Sequence, residues 1–425
     1  CRAGLKNTRG FCILDKGIHK SGFWAAAAGG GCKKGAVAVL CTAMESSVRP
    51  VRDGRPKRRV DMKKLLALAL AVVLALSVFA GCAAGGKKAE LALITDIGTI
   101  DDKSFNQGAW EGLVKYAEEK GISHQYYQPT EKSTTAYLES IDQAVKNGAK
   151  VIVTPGFLFE EPVYIAQDQY PDVTFILIDG NPHDADYNYK TADNCVGITY
   201  AEEQVGFLAG YAAVKDGMTK LGYMGGMAVP AVVKYGYGFV QGAEYAAQEL
   251  GMADGSIELM YNYTGGFDAT PEAQNQAASW YNNGTEVIFA AGGAVGNSVM
   301  AAAEAAGTKV IGVDVDQSGE SETVITSAMK GLGTSVYDMI AAYYNGSFPG
   351  GENKVYDAAN NGVALAMDTA KFDSFAKADY DTLFAALQNN TNNIASDILK
   401  NVDADNNEIA LTDIPVKAVV VTEVK

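Results

Sequence analysis

The sequence predicts an α/β protein made of two Rossmann-like lobes on either side of a cleft, and three observations lead there. From Glu90 onward, short apolar runs alternate with segments of helical apolar spacing, the pattern of a mostly parallel sheet. The alternation starts afresh after Thr199. Several apolar runs also stop at an acid or a glycine, among them those before Asp96, Gly156, Asp179, Gly225, Gly292 and Asp314. In open parallel sheets ligands collect beyond the carboxyl ends of the strands, where these residues fall.

Taken in order, Leu91–Thr95 reads as the first strand and Ser104–Glu119 as the first helix, with Phe105, Trp110, Leu113, Val114 and Ala117 near helical spacing. Tyr126–Gln128 is a second strand. Thr135–Lys146 is a helix that stops at Asn147-Gly148, a pair suited to a helix C-terminus. A buried strand at Val151–Thr154, a helix running up to Tyr170, and strands at Val173–Ile178 and Cys195–Thr199 complete the first lobe. The second lobe repeats the plan with helix Glu202–Val214, strand Lys220–Met224, a helix between Pro230 and Leu250, and strand Ser256–Tyr263. Helix Thr270–Asn282, strand Val287–Ala291, helix Asn297–Ala306 and strand Lys309–Val313 follow. Val324–Met329 is a further strand, expected to cross back to the first lobe ahead of a helix at Lys330–Tyr344. Ser347–Asn353 is a Gly/Pro loop, and the tail, with a helix around Tyr380–Gln388 and a strand at Ala418–Val421, is expected on the second lobe. The expected division is 90–200 plus 325–350 for lobe 1 and 201–324 plus 351–425 for lobe 2. Two such lobes form a clamshell that encloses a small molecule.

The beginning of the chain is of another kind. Residues 1–61 start without Met, lack a sustained apolar period, hold four of the six cysteines and, at Arg59, contain the last arginine of the sequence. Such a break in composition is expected of translated upstream sequence that is not native to the folded protein. Met62-Lys63-Lys64, the apolar run Leu65–Phe79 and Phe79-Ala80-Gly81-Cys82 follow the plan of a signal peptide: a basic start, an apolar stretch too short for an ordinary transmembrane helix, and a small-residue cleavage site. Segment 62–81 resembles a bacterial lipoprotein signal peptide, which implies cleavage before Cys82, lipidation of Cys82 and a short tether over 82–89.

Of the 35 basic and 50 acidic residues, 15 and 4 precede Cys82, which leaves 20 against 46 from there on and a formal charge of −26. So acidic a chain argues against nucleic acid as a partner, because phosphate contacts need clustered Lys and Arg. An anionic ligand held by arginine forks is equally ill suited, since no guanidinium exists downstream. Only Cys195 remains beside Cys82, so an acylated Cys82 leaves no internal disulfide. His124 and His183, without Cys/His spacing, give no zinc site. No metal or cofactor is expected.

The candidate site gathers at the strand ends. Asp96, Asp179 and Asp314 follow strands directly, Phe105 and Asn106 open the first helix, and Gly156 and Gly292 bring bare backbone to the same edge. Ionised carboxylates accept charge-assisted hydrogen bonds from OH and NH groups. Acids without basic partners nearby therefore suit a neutral hydroxyl-rich or amine-bearing ligand, a sugar diol foremost. Phe105 and Tyr235 are candidates for flat walls, where stacking is worth about 1–3 kcal/mol for a nucleobase. Lys330 is a candidate to pair with a cleft carboxylate or to donate to the ligand. Each has a plainer reading on its own: Asp96 as a turn acid or helix cap, Phe105 as the first core residue of its helix, and Lys330 as a solvated lysine.

As a set, Thr95–Gly98 with Asp101–Asn106, Leu221–Gly226, Gly236–Gly242, and Val310–Gln317 with Thr326–Lys330 resemble the basic membrane protein family, which comprises lipoprotein substrate-binding components of ABC transporters. The likeness runs in order from about Glu90 to Tyr344. It implies a type I periplasmic-binding-protein fold and a nucleoside ligand, a purine nucleoside foremost. The base would lie between two aromatics and the ribose against acids, glycine backbone and a lysine. Matched residue by residue, Asp96, Phe105 and Asn106 belong to the first motif, Gly292 to the glycine turn, and Asp314 and Lys330 to the ribose end. Tyr235 stands where the family carries a second aromatic, there Phe. The resemblance also implies an ABC transporter permease as partner, a lipid anchor on the extracytoplasmic face of the cell membrane, and no catalysis.

Two rivals differ in class or ligand. Thr95–Asp102 superficially resembles the acid-rich calcium motif of nucleoside hydrolases, whose carboxylates bind metal and activate water. In that motif an acid precedes the Thr, where this chain has Ile94, and the Gly lies one residue closer to the acidic pair. A sugar-binding or autoinducer-binding protein of the same fold would also pair aromatics with acids, but such pockets commonly add arginine.

Overall fold

The computed structural model describes residues 88–403 and 405–424; segments 1–61 and 62–81 and the lipidation candidate Cys82 lie outside them. In the first lobe β1 (Leu91–Ile94), β2 (His124–Tyr127), β3 (Val151–Pro155), β4 (Thr174–Ile178) and β5 (Cys195–Tyr200) alternate with α1 (Phe105–Lys120), α2 (Thr134–Lys146) and α3 (Glu160–Gln169). The second lobe runs through α4 (Glu202–Lys215), β6 (Lys220–Gly225), α5 (Pro230–Glu249), β7 (Ile257–Tyr263), α6 (Pro271–Asn282), β8 (Val287–Ala291), α7 (Val295–Ala306), β9 (Lys309–Asp314) and β10 (Val324–Lys330). The remainder is α8 (Leu332–Tyr344), β11 (Asn353–Tyr356), β12 (Val363–Leu365), α9 (Lys377–Gln388), the single turn α10 (Ile394–Asp397) and β13 (Val419–Glu423). Strand order is β11-β5-β4-β3-β1-β2 in the first sheet and β12-β10-β9-β8-β6-β7-β13 in the second. Only the β10–β12 pair is antiparallel among these. No described helix is long and apolar enough to cross a membrane.

Burial on both faces explains the near-continuous apolar strands. Leu91 and Leu93 pack with Leu113 and Ala117 of α1, while their neighbours Ala92 and Ile94 pack on the opposite face with Tyr137 and Ile141 of α2. The first of these clusters continues through Tyr200 into Val205, Tyr235 and Phe289 of the second lobe, so the lobes share apolar packing at their junction. Local signals set the helix starts: Ser133 accepts from Ala136 N at 3.2 Å, and Thr270 accepts from Ala273 N at 3.1 Å just ahead of Pro271.

The crossing between lobes differs from the sequence expectation. Val324–Lys330 pairs parallel with β9 and stays in the second sheet. The chain crosses one step later, through Gly331 into α8, which packs on α1. Asn353–Tyr356, read as loop and lobe 2 tail, pairs with β5 as an edge strand of the first sheet. Periodicity reveals that a segment is a strand; which sheet it joins depends on hydrogen-bonding partners far away in the chain. The crossings run side by side, with Gly331 N donating to Gly362 O at 2.8 Å and Ala201 N to Tyr356 O at 3.0 Å.

Helices α4 and α5 meet backbone to backbone. A Cβ on Gly206 or Gly210 would lie 2.2 Å from Tyr235 O or 2.0 Å from Phe239 O; on Gly238 or Gly242, 2.1 Å from Glu203 O or 1.9 Å from Phe207 O. Glycines four apart share one helix face, and this contact sets Glu202 of α4 beside Lys234 and Tyr235 of α5. Gly242→Ala should therefore cost about 1–3 kcal/mol through overpacking, read as a lower denaturant midpoint. An unchanged midpoint would show that the helices separate freely and that the close approach constrains nothing.

Candidate functional site

The carboxyl ends of both sheets border a cleft of about 820 Å³. Every site residue nominated from sequence lines it: Asp96, Phe105, Asn106, Gly156 and Asp179 from the first lobe, and Tyr235, Gly292, Asp314 and Lys330 from the second.

Asp96 follows β1 by two residues, and its Oδ1 accepts from Gly98 N at 2.7 Å and from Asn106 Nδ2 at 3.0 Å. Asn106 Nδ2 also reaches Asp102 Oδ2 at 3.0 Å. Asp102 itself accepts the backbone N–H groups of Ser104, Asn106 and Gln107 at 2.9, 2.9 and 3.1 Å, so it caps α1. Asp96 and Asp102 both line the cleft, and Asp102 also satisfies the helix terminus. Gly156 has φ +111°, and a Cβ there would stand 3.2 Å from Asp96 Oδ2, so backbone conformation and space both call for glycine. Burial pushes the Asp96 carboxyl up to about 6 against the bonds from Gly98 and Asn106.

At the other side of the cleft lies a buried ion cluster. Lys330 Nζ is 2.5 Å from Asp179 Oδ2, 3.1 Å from Glu202 Oε1 and 3.7 Å from Asp314 Oδ1. It also lies 4.9, 5.3 and 5.5 Å from the ring centroids of Phe105, Tyr200 and Tyr235. Lys234 is the second cation, paired with Glu202 and donating to Tyr200 O at 2.7 Å. Burial alone would depress the Lys330 ammonium, but Asp179, Glu202 and Asp314 outweigh it and hold the group protonated. Burial pushes Asp179 up to about 7 despite Lys330, and raises Asp314 likewise. Glu202 feels the same burial, yet Lys234 and Lys330 together bring it below the usual carboxylate range. Asp179 and Asp314 have φ +56° and +67°, a left-handed conformation that Asp tolerates better than most residues.

Several of these bonds join the lobes. Asp179 of lobe 1 meets Lys330 of lobe 2, Ser104 Oγ donates to Asp314 Oδ2 at 2.5 Å, and Gln317 Nε2 donates to Lys103 O at 2.8 Å. Tyr235 is 2% exposed, with its hydroxyl 3.2 Å from Ala328 O and 3.4 Å from Asp314 Oδ1. Its ring packs edge-on to Phe289. Phe105, Phe157 and Phe267 line the cleft and are only partly buried.

Sequence reasoning missed Glu202, Lys234, Ser104, Phe157 and Phe267. Glu202 and Glu203 had a signal, being two acids at the head of an otherwise apolar helix; both are 1% exposed. Phe157 opens a 3-10 turn, Phe157–Phe159, ahead of α3, and Phe267 lies in a loop; neither has a periodic pattern to single it out. No group of His, Cys, Asp and Glu positioned to hold a metal ion occurs among the described residues.

Two α/β lobes, three side-by-side crossings and a cleft between the strand ends make up the fold of the type I periplasmic binding proteins. Residues 89–415 match the family model described as ABC transporter substrate-binding protein, PnrA-like, and the chain belongs to that family. It is 30% identical over 356 residues to the "ABC transporter nucleoside-binding protein BmpA" of Lactococcus lactis subsp. cremoris (strain MG1363), covering 76% of this chain and 97% of that one. An uncharacterized lipoprotein of Pyrococcus abyssi (strain GE5 / Orsay) is 29% identical over 310 residues, 68% of this chain and 74% of that protein. In fold, an ABC transporter solute-binding protein from Aeropyrum pernix K1 superposes with a TM-score of 0.63 at 23% identity, covering 74% of this chain and 94% of that one.

Asp96 makes a pH prediction. Its folded value of about 6 exceeds the ordinary 3.8, so the folded state holds the proton more tightly than the unfolded state does. That contribution is complete below about pH 4 and is lost as pH rises through about 6. At about 1.36 kcal/mol per unit the span is about 3 kcal/mol. Asp96→Asn, which cannot ionise, should gain up to that much stability relative to the parent protein between about pH 4 and 7 in denaturant unfolding. A difference that is flat with pH would return Asp96 to an ordinary carboxylate.

Proposed function

We propose that this protein captures nucleosides, purine nucleosides foremost, in the interlobe cleft and delivers them to an ABC permease, with a lipid on Cys82 holding it at the extracytoplasmic face of the cell membrane. The observation that carries the ligand class is the order of chemistry along the second sheet. Its strands end successively in Lys330, Asp314 and Gly292, and the loop after β7 brings Phe267. A buried lysine and carboxylate lie at one end; bare backbone and an aromatic, with the exposed Asp268 beside it, lie at the other. A ribose with its hydroxyls suits the first, and a flat base suits the second. The name of the Lactococcus relative supports the same class.

In this reading the base rests on Phe267, the accessible aromatic at that end, while Phe105 lies beside Lys330 toward the ribose and Tyr235 holds Asp314 in place. Asp179 and Asp314 accept from ribose hydroxyls, Asp96 and Asn106 supply acceptor and donor groups at the first-lobe wall, and Gly156 and Gly292 leave room for close approach. Contacts from both lobes favour the closed state, which the permease recognises. The residues bind and orient; none is assigned to catalysis.

Calorimetric titration with guanosine, inosine, adenosine, cytidine, ribose and galactose tests this. Saturable binding of nucleosides without response to free sugars is expected, and Asp314→Ala should weaken it by about 10- to 100-fold, the loss of a charged hydrogen bond. Binding of sugars alone, or release of free base in the presence of calcium, would overturn the proposal. For the anchor, Cys82→Ser should move the protein from the membrane fraction to the soluble one; continued membrane retention would remove Cys82 from that role.

A further inference from the structure

The cleft does not end at Asp179. A second cavity, a groove of about 1550 Å³, shares Phe157, Asp179, Pro230 and Ala231 with it and continues between the lobes past Glu202 and Lys234. Two hairpins of one design border this groove, one from each lobe. Asp184 accepts the backbone N–H groups of Asp186 and Asn188 at 2.9 Å each, and Asp403 accepts those of Asp405 and Asn407 at 2.8 and 2.9 Å. Tyr187 and Asn406, with φ +59° and +62°, take the same place in the two turns and both line the groove. Because each lobe supplies one wall, the groove is shaped together with the cleft.

Asp179 stands at the junction with a side chain nine-tenths buried. Its Oδ2 is engaged by Lys330, but its buried Oδ1 has no hydrogen-bond partner among the described residues. A buried carboxylate oxygen left unpaired is costly, and the residue that carries it borders both cavities. The groove beyond adds the carboxylates of Glu160 and Glu202 and the amides of Asn181 and Asn401, while its lysine, Lys234, is already committed to Glu202. This lining receives hydrogen-bond donors and repels phosphate. The charged end of the cleft, where a ribose diol fits, is the end that opens into the groove. With both diol oxygens engaged, the exocyclic 5′ carbon is the sugar atom free to carry a substituent.

On the nucleoside reading above, we propose that cleft and groove form one compound site, which takes nucleosides whose 5′ carbon bears a hydrogen-bond-donating extension, such as an aminoalkyl group, and excludes 5′-phosphates. The test is calorimetric titration of the protein and of Asn401→Trp, which fills the groove away from the cleft, with adenosine, 5′-deoxy-5′-(2-aminoethylthio)adenosine and adenosine 5′-monophosphate. The aminoalkyl nucleoside should bind at least as tightly as adenosine, and the monophosphate about 100-fold more weakly or not at all. Asn401→Trp should leave adenosine within about twofold, which also reports that the variant folds, while weakening the aminoalkyl compound about tenfold or more. Adenosine binding with rejection of the aminoalkyl compound, acceptance of the monophosphate, or an equal effect of Asn401→Trp on both nucleosides would overturn the compound site and leave the nucleoside reading intact. Failure of adenosine and the aminoalkyl compound alike would overturn the nucleoside reading itself.

Discussion

The buried ammonium of Lys330 sits at the last residue of β10, just before the chain leaves the second lobe, with carboxylates of Asp179, Glu202 and Asp314 around it. A charge so placed cannot be left unpaired: removing one partner of a buried pair typically costs about 3–5 kcal/mol. Because Asp179 belongs to one lobe and Glu202, Asp314 and Lys330 to the other, meeting that requirement brings the lobes together at the junction. Asp179, Asp314 and Lys330 also line the cleft, so the contact that joins the lobes borders it.

The surrounding structure holds this cluster in place. Close packing of α4 against α5 sets Glu202 beside Lys234, so that Glu202 bridges the two buried lysines, Lys234 and Lys330. The left-handed turns at Asp179 and Asp314 end their strands at the cleft, and the adjoining crossings bring β5, β10 and β11 to one junction. Ser104 of the first lobe donates to Asp314 of the second, so a residue that borders the cleft is also part of the lobe contact.

Much of the fold was legible in the sequence, and so was the gathering of the nominated residues at one cleft. Strands β1, β3, β4, β8 and β9 announce themselves as buried apolar runs, and their ends carry Asp96, Gly156, Asp179, Gly292 and Asp314. A parallel sheet that is buried on both faces leaves few other ways to place such runs, and its topology fixes where their carboxyl ends go. The acidic balance and the lack of arginine after Arg59 already narrowed the ligand toward neutral, hydrogen-bonding chemistry.

Tertiary structure decided the rest. That β10 stays with β9, that Asn353–Tyr356 joins β5, and that Glu202 reaches Lys330 depend on partners far apart in the chain, which no local period records. Tyr235 lines the cleft but is buried with its hydroxyl near Asp314 and Ala328, while Phe157, in a short 3-10 turn, and Phe267, in a loop, are more accessible. Local sequence determined which segments are strands and helices because hydrophobic periodicity is a local property. Only the folded chain decided which charges neutralise one another, because burial and distance set electrostatic energies and both arise from packing.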